Sequence, residues 1–178
     1  MNYRHFAGQI ECGRRPADER TLPERAVNNF LHLEKVAACE DRVETVLLVE
    51  DEVFVRNVTR EILQAAGYRV LSAGDALAAN RLYDEYGPEV DLLLTDMTLP
   101  GENGGELAAR LRRQNPELRV LLMTGYADQI AVLEDAGEEY LLKPFGSNVL
   151  LRKVGKLVDE AKAQAEQVGL IMRACVGA

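Results

Sequence analysis

The chain has 178 residues, 47% of them apolar, which allows one well-buried domain with added segments and excludes a globally disordered polymer. Its net charge is −8: residues 1–44 carry 7 Lys/Arg against 8 Asp/Glu, and residues 45–178 carry 14 against 21. That acidic balance, with no Lys/Arg-rich run, argues against a nucleic-acid partner.

Residues 1–20 show no clear period. Thr21-Leu-Pro-Glu24 then has the form of a capping box, and Ala26, Phe30, Leu33 and Ala37 recur at helical spacing. A helix is therefore predicted over about 22–38, within an N-terminal extension spanning residues 1–44. From Thr45 the pattern changes to alternating strands and helices. Val46–Val49 is continuously apolar, as a central parallel strand requires. Val53, Val58, Ile62 and Leu63 mark a helix that Gly67 is placed to end. Tyr68–Leu71 reads as a strand, Asp75–Tyr86 as a helix stopped by Gly87-Pro88, and Val90–Thr95 as the third strand. Glu106–Arg113 reads as a helix, Arg119–Met123 as a strand, Asp128–Ala136 as a helix ended by Gly137, and Glu139–Leu142 as the fifth strand. A last helix begins near Ser147 and is expected to reach about 167, with Leu170-Ile-Met172 as an apolar tail beyond it. The core domain is placed at 45–160, and residues 161–178 extend its last helix.

Five strands alternating with helices imply an α/β doubly wound parallel sheet with helices on both faces. In such sheets, sites form outside the carboxyl ends of the strands. Four strand ends here carry polar groups: Glu50 and Asp51, Asp96, Thr124, and Lys143. Three carboxylates, one hydroxyl and one ammonium at one sheet edge can bind a divalent cation and handle a phosphoryl group. Asp91 opens the third strand and belongs to the opposite end. His32 lies in the first predicted helix, but Asn-Phe-Leu-His-Leu-Glu-Lys lacks a kinase-type box, so it reads as a surface or interface histidine. Cys12, Cys39 and Cys175 have no metal-ligand spacing and read as reduced thiols. No apolar run approaches a membrane span, and the N-terminus lacks a secretory core, so a cytoplasmic location with no membrane partner is expected.

Leu-Leu-Val-Glu50-Asp51-Glu, Leu-Leu-Leu-Thr-Asp96-Met-Thr-Leu-Pro-Gly101, Met-Thr124-Gly-Tyr-Ala and Leu-Leu-Lys143-Pro-Phe resemble, in order and spacing, the signature segments of response-regulator receiver domains. They are also similar to receivers attached to hybrid sensor histidine kinases. The resemblance implies the flavodoxin-like strand order 2-1-3-4-5. It implies Asp96 as the phosphoacceptor, with Mg²⁺ held by Glu50, Asp51, Asp96 and the backbone carbonyl of Thr98. The family often carries Asp at the position of Glu50. Thr124 would give its hydroxyl to a phosphoryl oxygen, and Lys143, before a cis-type Pro144, would pair with the phosphoryl group or with Asp96. Tyr140 matches the switch aromatic; a core tyrosine is the alternative. Tyr126 and Thr98 hold positions that govern water access.

The implied function is that of a phosphorelay or two-component switch. A sensor histidine kinase or phosphotransfer protein would phosphorylate Asp96, and an unspecified downstream protein would read the changed surface. The chemistry is self-phosphorylation and autodephosphorylation rather than that of a conventional enzyme. The alternative is a pseudo-receiver, an oligomerising interaction module without phosphoryl turnover; the intact Asp96, Thr124 and Lys143 set weighs against it. Homo-oligomer contacts through the terminal helices are a further expectation.

Overall fold

The computed structural model describes the backbone of residues 42–176 and the side chains of residues 42–163. The helix expected over 22–38 and His32 lie outside the described residues. Five strands, β1 (Thr45–Val49), β2 (Arg69–Ala73), β3 (Val90–Asp96), β4 (Arg119–Thr124) and β5 (Tyr140–Leu142), form one sheet in the order β2-β1-β3-β4-β5. All four pairings are parallel. The connecting helices are α1 (Val53–Ala65), α2 (Ala76–Tyr86), α3 (Gly104–Gln114) and α4 (Asp128–Asp135), with α5 (Ser147–Val176) following β5.

Successive side chains of a strand point to opposite faces, so each central strand feeds two cores. Leu47, Val49, Leu93, Val120 and Leu122 pack with Ala79 and Tyr83 of α2, Leu107 and Leu111 of α3, and Leu133 of α4. Val46, Leu48, Leu92, Leu94, Leu121 and Met123 pack with Leu63 of α1 and with Leu150, Val154 and Leu157 of α5. Burial on both faces explains why β1 and β3 read as unbroken apolar runs rather than as alternating ones.

Three elements depart from the sequence expectation. β2 lies further along the chain than Tyr68–Leu71, in register with β1 through Val49 opposite Ala73. It is an edge strand with a partly exposed side-chain row, so its apolar signal is weak. α3 starts two residues before Glu106. Asn103 caps it, accepting from Gly105 N at 2.7 Å, while Glu106 reaches back to the Asn103 amide. α5 does not stop at 167; its backbone remains helical through Val176, so Leu170–Met172 is part of the helix. The capping of α1 by Gly67 is as read, with φ of +96°. Asp91 is also as read: it takes the Arg42 guanidinium and the Thr45 amide at the amino ends of β1 and β3. Among the described residues no helix is long and apolar enough to cross a membrane.

Candidate functional site: an acidic pocket at the sheet's switch point

Strand order reverses at β1, whose neighbours β2 and β3 lead to opposite sides of the sheet. Loops leaving such a point diverge and open a crevice at the carboxyl ends. Glu50 and Asp51 follow β1 directly, and Asp96 ends β3. Val49 is paired with Thr95, so Glu50 and Asp96 sit one step beyond the last rung of the same ladder. Ligand oxygens of Glu50, Asp51 and Asp96 all lie within 4.8 Å of one another. Glu50 is 1% exposed and Asp96 8%, while Asp51 faces solvent.

Lys143 follows β5 and reaches back across two strands. Its Nζ donates to Glu50 Oε2 and to Asp96 Oδ2, each at 2.6 Å. The Lys143–Pro144 peptide is cis. The other Asp96 oxygen accepts from the Thr98 amide at 3.0 Å. Burial pushes the Glu50 carboxyl up; Lys143 opposes that push and the neighbouring Asp96 charge adds to it. Burial alone would draw the Lys143 ammonium down, but its hydrogen bonds and charge attraction to Asp96 and Glu50 prevail, and its pKa is raised. Lys143 therefore stays charged at neutral pH, which is the state the two carboxylates need.

Thr124 ends β4 with 1% exposure. Its backbone carbonyl accepts from the Lys143 amide at 2.7 Å. Its hydroxyl accepts from the Tyr126 amide at 3.1 Å and donates to Gln129 Oε1 at 2.6 Å. Tyr126 is exposed at the rim. Tyr140 rests its ring on the α2–α4 side core, with Lys153 Nζ at 5.1 Å from the ring centroid. Its hydroxyl is directed outward and donates to Glu134 of α4 at 2.7 Å. The fold thus brings Glu50, Asp51, Asp96, Thr98, Thr124 and Lys143 to one edge, with Tyr140 further back on the strand that leads to Lys143.

Residues 46–155 match the family described as the response regulator receiver domain. The chain belongs to that family. Among curated relatives, the receiver is 34% identical over 117 residues to the aerobic respiration control protein ArcA of Escherichia coli, covering 64% of this chain and 48% of the relative. It is 34% identical over 137 residues to the sensor kinase CckA of Brucella abortus, covering 70% of this chain and 14% of that protein. The chain spans about half the length of most of the curated relatives it matches. Among solved structures, a CheY-like receiver from Methanospirillum hungatei superposes with a TM-score of 0.62 at 27% identity, covering 69% of this chain and 99% of that one. The response regulator TrrA of Thermotoga maritima, solved in complex with Mg²⁺-BeF, gives 0.58 at 29% identity, covering 65% of this chain and 99% of that one.

Three residues that sequence reading missed support the receiver's pocket. Arg56 of α1 donates to the Glu50 carbonyl at 2.5 Å and to the Asp51 carbonyl at 3.2 Å, fixing the backbone that carries both acids. An Arg one turn into the helix after an acidic pair was the available signal. Gly104 passes so close to β3 that a Cβ there would lie 1.9 Å from the Asp96 carbonyl oxygen. Gln129 holds the Thr124 hydroxyl, and a lone Gln near a helix start gives no sequence signal.

Lys143→Ala is expected to destabilise the metal-free receiver by roughly 3 kcal/mol, because it leaves the buried Glu50 carboxylate uncompensated beside Asp96. A melting temperature equal to the parent's without Mg²⁺ would contradict the assigned role of the ammonium.

Proposed function

We propose that Asp96 is the phosphoacceptor of this receiver and that the pocket uses Mg²⁺. The observation that supports this best is the pairing of one ammonium with two buried carboxylates, beside a third carboxylate open to solvent. The donor set is all hard oxygen, which suits Mg²⁺ and offers nothing to a softer metal. Glu50, Asp51 and Asp96, with the Thr98 backbone carbonyl, would hold it. When bound it supplies positive charge against the incoming phosphoryl oxygens, which three carboxylates would otherwise repel.

In this reading a carboxylate oxygen of Asp96 attacks the phosphorus of a phosphohistidine. The phosphorus–nitrogen bond breaks, the electron pair returns to the imidazole, and an acyl phosphate forms on Asp96. Lys143 then exchanges its Asp96 contact for a phosphoryl oxygen, and Thr124 donates its hydroxyl to another. Water later attacks the phosphorus, the bond to the Asp96 oxygen breaks, and inorganic phosphate leaves with the carboxylate restored, Tyr126 and Thr98 framing the approach. The donor is a sensor histidine kinase or phosphotransfer protein. The surface of α4, β5 and α5, which carries Tyr140, is the part that changes for a downstream protein.

The test is incubation with Mg²⁺ and acetyl phosphate, read by intact mass, in parallel with beryllofluoride, read by amide chemical shifts. One phosphoryl group per chain is expected with Mg²⁺, and none after chelation by EDTA. Unchanged mass and unchanged shifts with Mg²⁺ present would refute the proposal.

A further inference from the structure

The Thr124 hydroxyl has one proton to donate, and that proton is already committed. Gln129 Oε1 accepts it at 2.6 Å, while among the described residues the other acceptor within reach, the Tyr126 carbonyl, is 3.4 Å away. The Tyr126 amide takes one of the hydroxyl's lone pairs at 3.1 Å. The Thr124 backbone is fixed independently, because its carbonyl accepts from Lys143. On an anchored backbone the Thr oxygen can be carried elsewhere only by rotation about χ1 between discrete wells, while its proton turns about the Cβ–Oγ bond to whichever acceptor lies within reach. A solvated helical Gln would have no reason to meet this buried hydroxyl, yet the half-buried Gln129 does.

We propose that Gln129 is a positioning residue that withholds the Thr124 hydroxyl from the phosphoryl site until a bound phosphoryl group outcompetes it. The inference rests on the reading of Thr124 as a phosphoryl ligand. It adds that binding must break one part-buried hydrogen bond to α4 before it can make another. Gln129 thereby weakens phosphoryl binding by the worth of that bond and ties release of α4 to occupation of the pocket. Glu134, on the same helix, holds the Tyr140 hydroxyl, so letting go at Gln129 loosens the element that also restrains the aromatic ring.

Gln129→Met keeps the length and helix propensity of the side chain and removes the acceptor. In titrations of the full chain with beryllofluoride at saturating Mg²⁺, it should bind roughly five-fold more tightly than the parent. Mg²⁺ affinity without beryllofluoride should be unchanged, which a general loosening of the loop would not allow. Gln129→Ala should tighten binding in the same direction. In a Thr124→Ala background Gln129→Met should have no effect, because nothing is left to withhold. Equal or weaker binding by Gln129→Met, or a gain that persists without the Thr124 hydroxyl, overturns the proposal while leaving the phosphoacceptor reading intact. Beryllofluoride affinity unaffected by Thr124→Ala overturns both this inference and the role given to Thr124.

Discussion

Asp96→Asn is expected to abolish phosphoryl acceptance while leaving a folded protein. The amide has nearly the shape of the carboxylate, so the Thr98 amide can still donate to its oxygen, and Lys143 keeps Glu50 as a partner. The amide is not a nucleophile at phosphorus, and no acyl phosphate can form on it. Intact mass after acetyl phosphate and Mg²⁺ should match that of the untreated variant. Mg²⁺ affinity should fall by about tenfold or more, because one of three clustered carboxylates has lost its charge. A retained phosphoryl group would point to another acceptor, and Asp51 would be the first to test because it is the exposed member of the trio.

The second large effect concerns a residue with no side chain. A Cβ on Gly104 would lie 1.9 Å from the Asp96 carbonyl oxygen, 2.8 Å from its carbon and 3.0 Å from Thr95 Oγ1. The first two are backbone atoms of a central strand and cannot swing aside. The Gly104 amide also donates to the Met97 carbonyl at 3.0 Å, so α3 is tied to this loop where it begins. Gly104→Ala must therefore push the start of α3 away from β3. A loss of roughly 3 kcal/mol is expected, with a drop in melting temperature of about 10 °C. The peptide that the new Cβ presses on is the one that carries Asp96, so phosphorylation by acetyl phosphate should slow as well. The adjacent Gly105→Ala is the control: its Cβ meets side-chain ends and no backbone, the Asn103 tip at 3.1 Å and the Met97 tip at 3.9 Å, and should cost far less. Equal melting temperatures for the two variants would show that the close approach is not a constraint.

What could be read from the chain follows from how its signals arise. The pocket was legible because each group stands at the end of a buried apolar run, so the pattern that marks a strand also marks where its last polar residue emerges. Glu50, Asp96, Thr124 and Lys143 are all of this kind. β1 and β3 were legible for the same reason. β2 was misplaced because an edge strand needs apolar residues on fewer positions, and Ser72 and Ala73 carry little signal. The start of α3 was available in Asn103-Gly-Gly-Glu106, but glycine is a poor helix former, and the tertiary approach to Asp96 explains Gly104 alone. Gln129 was invisible because a Gln on a helix does not announce a hydroxyl partner, and Arg56 gave only its place one turn after the acidic pair, since its partners are backbone carbonyls that every residue carries. The extent of α5 was underestimated because Gly169, a poor helix former, stands within it.

Lys143 belongs to the pocket through its ammonium and to the sheet through its amide. The ammonium grips acids from β1 and β3; the amide grips the end of β4. The strand behind it, β5, is only three residues long and has a single neighbour. Whatever displaces the ammonium therefore pulls, through one residue, on a short strand fastened along one side only. In the proposed reading, chemistry between the central strands would be felt first at that border.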